Sequence, residues 1–372
     1  MMPELPPELT DRIIDFLWED HQSLYSCALI SRSWLPGSHF HLYSNMHLQS
    51  RESLDSLVHI SRISHVGASL GLVRSLNLSD AWTGWVHRLP LVLGHAFSAI
   101  ESLRIEDTDW NAGAIHPATL PFGFAHFRSL TGLDLYHCIF RNVRQFQYLV
   151  CALPRLQSLT MFDVTLHQLS LPITKPTSVR LPPLNNLSVS FRVSDTLLSS
   201  LFEWLRALPR SSLRRLAVRP HKELSSTIGE AIESFAAGLD SLDLTLDDSY
   251  TLTDMERLNL HRCTGLRTLS IWHQCSIPLA EILDLVAPSS RIHQLWLHVR
   301  VSQPEPEWAR VRNVLASKRF GQLQEVVFLL PPDEDDRLGP QEQRTVMGAV
   351  EDLRHRDVSV RVSNWSPPFR TI

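Results

Sequence analysis

The sequence predicts an α/β solenoid, with short parallel strands on its concave face and helices outside, preceded by a small all-helical segment. Three observations carry this. The hexad L-x-x-L-x-L, with conservative apolar replacements, recurs ten times between residues 73 and 328. The stretches between hexads place apolar residues at helical rather than alternating spacing. The first 48 residues contain no such hexad.

The hexads begin at Val73, Ile100, Leu130, Leu156, Leu184, Leu213, Leu239, Leu266, Ile292 and Leu323. Their spacing averages about 28 residues, the period of a leucine-rich repeat. Within L-x-L the apolar residues alternate, as a half-buried strand requires, and the first Leu reaches the same core from the turn before it. Between hexads, Val143, Phe146, Leu149, Val150 and Leu153 fall on one helical face, as do Leu197, Leu198, Leu201, Trp204, Leu205 and Leu208, then Ile228, Ile232 and Phe235, then Ile282, Leu283 and Val286. Pro154, Pro209, Gly238, Gly265 and Pro288 end these runs. A terminal repeat leaves one apolar side open. Residues 51–61 are therefore expected to form an N-terminal capping helix, residues 341–357 a C-terminal helix, and Val358, Val360 and Val362 a closing strand. The acidic, proline-flanked stretch 331–340 reads as a loop.

Residues 1–48 read as a separate domain of two or three short helices, and 49–372 as the repeat array with its caps. Leu9, Ile13, Phe16 and Leu17 line the first helix, begun by Pro6 or Pro7 in a first turn where the missing N–H costs nothing. Leu24, Cys27, Ala28 and Ser31 line a second, which Pro36-Gly37 is expected to end. So short a unit cannot bury enough surface to stand alone, so it is expected to dock.

Composition narrows the function. Sixty leucines against 14 glycines show leucine used as a repeated structural unit. A net charge of −4 gives no basic footprint for nucleic acid or anionic membrane. The start of the chain has no signal-peptide pattern and no apolar run is long enough to span a bilayer, so a cytoplasmic or nuclear location is expected. The five cysteines, odd in number and sparsely spaced, suit free thiols rather than a disulfide framework. Of the 35 basic residues, 32 are arginine and only Lys175, Lys222 and Lys318 are lysine.

Catalytic motifs are almost absent, and the chain is expected not to be an enzyme. No dinucleotide, P-loop or H-E-x-x-H pattern occurs. Gly67-Ala-Ser69-Leu-Gly71 fits G-x-S-x-G, but a nucleophile elbow needs a strand before the serine, and here the strand follows. His261 with Cys263 and His273 with Cys275 do not have the spacing of a closed zinc site, and a thiol buried in the repeat core explains the cysteines better. No metal and no cofactor are expected. The sequons at Asn77, Asn186 and Asn364 are discounted because nothing is expected to export the chain.

The first segment carries a resemblance. Leu5-Pro6, Glu8-Leu9, Ile13, Leu17, Leu24, Leu29-Ile30, Ser31-Arg32, Trp34 and Leu42-Tyr43 resemble the F-box motif: LP-x-E-[IL], an apolar helix, L-x-x-x-x-L-[VI]-[CS]-[RK]-x-W, and a final L-[YF]. The array is similar to the repeat half of F-box leucine-rich-repeat proteins, although its units vary in length and mostly lack the terminal Asn or Cys, to which Cys138 and Cys275 come closest. The resemblance implies a substrate-recognition subunit of an SCF-type ubiquitin ligase. Its F-box would dock on the Skp linker protein, and through it on cullin, while the repeats bind a substrate protein. It implies Skp-binding residues among Leu5, Pro6, Leu9, Ile13, Ile14, Leu17, Leu29, Ile30 and Trp34, some of which must be core of the small domain itself. The alternative is an F-box scaffold for protein–protein interaction that engages no cullin.

Strand parity selects the candidate substrate surface. Side chains flanking the second and third apolar positions point away from the core, onto the concave sheet. Tyr136, Phe162, Arg215, Arg219, Asp243, Trp272, Trp296 and His298 are the candidates there. Trp272 and Trp296 are expected to root about 8 Å apart and form one exposed aromatic patch. Otherwise residues 364–372 or the acidic loop fold over both rings.

Overall fold

The computed structural model describes residues 6–63, 67, 69–112, 119–168, 182–190, 192–206, 213–219, 222–273, 276–298, 305–330, 348 and 358–364. It starts with three helices, α1 (Pro7–Phe16), α2 (His21–Ile30) and α3 (Leu35–Ser44). Each starts where its sequence permits. Pro7 opens the first turn of α1. Asp20 caps α2, accepting from the Ser23 backbone N–H at 3.0 Å and its hydroxyl at 2.6 Å, which lowers its pKa. Pro36 lies in the first turn of α3. Pro36-Gly37 thus begins the third helix instead of ending the second, because only interior positions suffer from the missing N–H. Ile14, Leu24 and Leu42 form the small core, with Leu17, Trp34 and Tyr43 packed against it. A Cβ at Gly37 would lie 3.2 Å from Ile14 Cδ1, so glycine sets the close approach of α1 and α3.

The helical part ends at Ser44, because residues 45–48, expected to close the helical segment, form a strand of the sheet. β1 (Asn45–Leu48) follows α3 without a linker and pairs in parallel with β2 (Ser75–Ser79), Met46 opposite Leu76 and Leu48 opposite Leu78. Tyr43 to Leu48 is thus a degenerate hexad that the leucine pattern passes over. The helix expected as an N-terminal cap forms as α4 (Arg51–Ser61), with the Ser50 side chain accepting from the Ser53 N–H, but it connects β1 to β2 instead of preceding the first strand.

The described chain divides into two compact units, Met1–Leu184 with Arg192–Ser194, and Asn185–Phe191 with Asp195–Ile372. The first continues through β3 (Ser102–Asp109), β4 (Gly132–Phe140) and β5 (Ser158–Leu166). The second holds β6 (Asn186–Ser190), β7 (Arg215–Val218), β8 (Ser241–Leu246), β9 (Thr268–His273), β10 (Gln294–His298), β11 (Glu325–Leu330) and β12 (Ser359–Asn364). In each unit every strand pairs in parallel with its chain neighbour, in the hexad register: Leu133 faces Leu103 and Leu159, and Leu242 faces Leu216 and Leu269. This is a leucine-rich-repeat fold. The expected closing strand is β12; the expected C-terminal helix and acidic loop lie outside the described residues.

Two hydrogen-bond devices lock the register. The carbonyl after each first hexad Leu accepts two N–H groups from the next repeat: Arg74 from Glu101 and Ser102, Glu101 from Thr131 and Gly132, Arg214 from Asp240 and Ser241, Arg267 from His293 and Gln294, all at 2.8–3.1 Å. The strand starts are thereby tied at one carbonyl per repeat. Several arginines then bridge repeats by binding a carbonyl and a carboxylate together. Arg74 reaches the Ala99 carbonyl at 3.4 Å and Glu101 at 2.9 Å; Arg214 reaches the Gly238 carbonyl at 3.0 Å and pairs with Asp240; Arg319 binds the Asp284 and Val286 carbonyls and pairs with Asp284. A planar guanidinium suits this double role where a lysine ammonium does not.

Helix Val143–Cys151, helix Asp195–Arg206, helix Ser225–Phe235 and helix Leu279–Asp284 occupy the runs read as helical. The second repeat replaces its helix start with a carboxylate. Asp80, fully buried, accepts from the backbone N–H groups of Gly84 at 2.8 Å, Trp85 at 2.9 Å and Val86 at 3.4 Å. Asp80→Ala orphans these donors, two of them on buried residues, and is expected to destabilise the chain by about 2–4 kcal/mol. Urea unfolding checks this, with Asp80→Asn, which retains one acceptor oxygen, losing less.

Candidate functional site

The helical segment separates the residues read as a docking surface into two groups. Ile14 is 1% exposed and lies in the small core, and Leu17 and Trp34 pack against that core. Ile14 thus acts within the segment, whereas Leu17 and Trp34 pack on that core while keeping part of their surface exposed. Pro6, Leu9, Ile13, Leu29 and Ile30 face outward, Leu29 at 88% and Ile30 at 71% exposure. Leu5 lies outside the described residues. The apolar stripe of α1, Leu9, Ile13 and Phe16, is therefore its solvent face; Phe16 is 87% exposed. Trp18, Tyr25 and Phe40 are exposed as well. Periodicity had marked Phe16, whereas Trp18, Tyr25 and Phe40 carry no local signal of exposure.

On the sheet, strand parity holds through the hexads. In unit one it brings Tyr136 and Phe162 together on adjacent strands, their rings stacked with centroids 5.7 Å apart. The Arg104 guanidinium lies 4.0 Å from the Tyr136 ring centroid, and its Nε is 2.5 Å from Glu106 Oε1. Next to them Asp134 bonds Thr160; loss of hydration raises its pKa, and the hydrogen bond and Arg104 pull against that rise. Arg104 and Glu106 satisfied the same parity but were not singled out, since a charged side chain on a wet sheet is unremarked without its neighbours.

Just beyond this row the strands kink. Asp107, His137 and Asp163, at equivalent places on β3, β4 and β5, all take positive φ, between 49° and 52°. Each kink sets two consecutive side chains outward before burial resumes at Thr108, Cys138 and Val164. The kink brings His137 Nδ1 within 3.1 Å of Asp107 Oδ1 and its ring edge-on to Phe162 at 5.6 Å. Cys138 occupies the repeat's terminal Asn/Cys place, its thiol directed at the Ile105 and Tyr136 carbonyls, and burial pushes that thiol up to about 12. Cys263 is buried too, and its thiol is likewise pushed up to about 12; Cys275 lies outside the described residues.

In unit two the expected exposed tryptophan patch is not found. Trp272 and His298 are each only 6% exposed, and they stack on one another, centroids 4.5 Å apart and planes 8° apart. Register pairs the rings differently from the expectation: His298, not Trp296, stands directly opposite Trp272, while Trp296 stands opposite Ser270 and is half-buried. Of the segments considered as a cover, 331–340 and all of 364–372 beyond Asn364 lie outside the described residues. Arg215 is exposed and Arg219 partly so. Asp243, between Ala217 and Ser270 in register, is only partly exposed. Loss of hydration pushes its carboxyl up to about 6 against the lowering effect of the Ser270 hydrogen bond.

That shift has a stability consequence. A carboxyl whose folded pKa is raised binds its proton more tightly in the folded state, so stability is greatest below the unfolded value near 4 and falls as pH rises through about 6. Asp243→Asn is expected to stabilise the chain by about 1–3 kcal/mol at pH 7.5 and to give no gain at pH 4. Paired urea titrations at the two pH values check this.

Among the described residues, no helix is long and apolar enough to cross a membrane, and no group of three or more His, Cys, Asp or Glu side chains is placed to hold a metal. No protein-family model matches the chain, and no curated protein matches it. Among solved structures it is similar to the leucine-rich repeat-containing protein LegL7 from Legionella pneumophila, at 14% identity over 84% of this chain and 98% of that one, with a TM-score of 0.49. It is similar to a chain of the TLR13–ssRNA13 complex at 15% identity over 80% of this chain and 40% of that one, TM-score 0.45. A chain of the Rad7 and Elc1 complex in yeast gives 11% identity over 90% and 91%, TM-score 0.36. The repeat assignment rests on the register above, not on these similarities.

Proposed function

We propose that this protein is a substrate-recognition subunit of an SCF-type ubiquitin ligase: α1–α3 act as an F-box that docks on the Skp linker protein, and the repeat sheet holds a substrate protein. One observation carries the docking half. Of the fifteen large apolar side chains left exposed among the described residues, eight lie between Leu9 and Phe40 on this short segment: Leu9, Ile13, Phe16, Trp18, Tyr25, Leu29, Ile30 and Phe40. Covering the most exposed of them, Phe16, Leu29 and Ile30, contributes about 1.5–3 kcal/mol each before the cost of association, and the others less in proportion to their exposure. So dense an apolar surface marks an interaction site, and it falls on the segment whose sequence resembles the F-box.

The direct continuation of α3 into β1 also suits an adaptor, since it leaves no linker between docking helices and array. The protein then supplies no catalytic residue; it holds a substrate near chemistry performed elsewhere. Copurification tests the reading. Recovery of the Skp protein together with cullin supports the ligase subunit. Recovery of Skp without cullin replaces it with the scaffold, and recovery of neither overturns both.

A further inference from the structure

The strands β2–β5 contain five carboxylates, Glu106, Asp107, Asp109, Asp134 and Asp163, against a single arginine, Arg104. Glu106 and Asp163 flank the stacked aromatic pair placed outward on these strands, Tyr136 and Phe162, with Asp134 on the same face; Asp107 pairs with His137 at the kink and Asp109, farther along β3, pairs with His167. Asn77, opposite Arg104 in register, adds a buried Oδ1 with no hydrogen-bond partner. The surface is thus rich in acceptors around an aromatic floor. It already holds one guanidinium: Arg104 lies over Tyr136 and pairs with Glu106. One strand over, Phe162 continues the stack, and Asp163 follows it on the kink that turns consecutive side chains outward.

We infer that this face takes an extended, basic, arginine-bearing segment of the substrate protein, one guanidinium lying against the Tyr136–Phe162 stack and pairing with Asp163. The inference rests on the reading of the repeat sheet as the substrate surface, and it names the chemistry of that substrate. A guanidinium suits the place better than an ammonium. It stacks flat on an aromatic face and keeps its edge donors for carboxylates, as Arg104 does. Charge excess speeds encounter, while the aromatic floor and the kinked carboxylate select the geometry.

The full chain and a fluorescein-labelled nona-arginine peptide provide the test, read by fluorescence anisotropy beside nona-lysine, nona-glutamate and an oligouridylate of equal length. Nona-arginine is expected to bind more tightly than nona-lysine, with neither acidic probe binding. Phe162→Leu, which retains apolar volume but removes the ring, and Asp163→Asn are each expected to weaken nona-arginine about 10-fold. The double change Glu230→Gln, Glu233→Gln, which removes two charges from helix Ser225–Phe235, is expected to leave binding unchanged. Equal weakening by that control would show attraction to overall charge and overturn the inference. So would unchanged binding by the two face variants, absence of nona-arginine binding, or a preference for the oligouridylate. Capture of Skp by the same proteins separates the two claims: intact Skp binding with no peptide selectivity rejects this inference alone, and the converse rejects the docking reading alone.

Discussion

The double variant Leu29→Asp, Ile30→Asp is expected to fold as the parent does and to lose Skp binding by at least about 100-fold. Both side chains are exposed at the end of α2, so neither contributes to the core of Ile14, Leu24 and Leu42. A carboxylate at either place, on the last turn of α2, costs about 0.3–1 kcal/mol through the helix dipole and no core packing while it stays in water. Once a partner covers it, it is a desolvated charge without a counter-ion, which is destabilising by several kcal/mol. The larger effect therefore falls on the complex. Circular dichroism establishes that the helices and the thermal transition are retained, and a titration against the Skp protein reads the affinity. Unaltered affinity would remove the docking surface from α2. Ile14→Asp gives the contrast, since it is expected to unfold α1–α3 and lose binding for that reason.

Gly229→Ala is expected to destabilise the second unit by about 3 kcal/mol, and Gly229→Val by more. Gly229 is buried inside helix Ser225–Phe235, where alanine ordinarily stabilises by about 1 kcal/mol. Here the sign reverses. A Cβ at this position would overlap the Arg257 carbonyl oxygen and crowd Leu258 Cα, both backbone atoms at the end of helix Leu252–Arg257. Backbone cannot rotate aside like the end of a side chain, so the two helices must separate and lose packing along their contact. The denaturation midpoint reads the loss, and Ser226→Ala, exposed on the same helix, is expected to stay within about 0.5 kcal/mol of the parent. A Gly229→Ala variant as stable as the parent would show that the helices yield more cheaply than close packing allows.

Much of the repeat unit was written in the chain as period and parity. Each hexad marks a strand because L-x-L alternation suits only a half-buried strand, and Leu103, Leu133, Leu159 and their equivalents are buried accordingly. Helix-spaced leucines between hexads, the closing strand at 359–364 and the outward direction of Tyr136 and Phe162 followed from the same local geometry. Position 43–48 escaped because Tyr43 and Met46 replace leucine there. Parallel pairing with β2 fixes that segment as strand, and pairing is a property of two segments, invisible in either alone.

What the tertiary structure alone decided is which side chain covers which. Periodicity groups Leu9, Ile13, Phe16 and Leu17 on one face of α1, but the core took Ile14 and, of that group, only Leu17, and left the rest to solvent. Parity turns Trp272 outward, but it is 6% exposed, with His298 opposite lying flat on it. Direction follows from local backbone geometry within a few residues. Burial depends on atoms supplied by distant parts of the chain, so only packing could assign it.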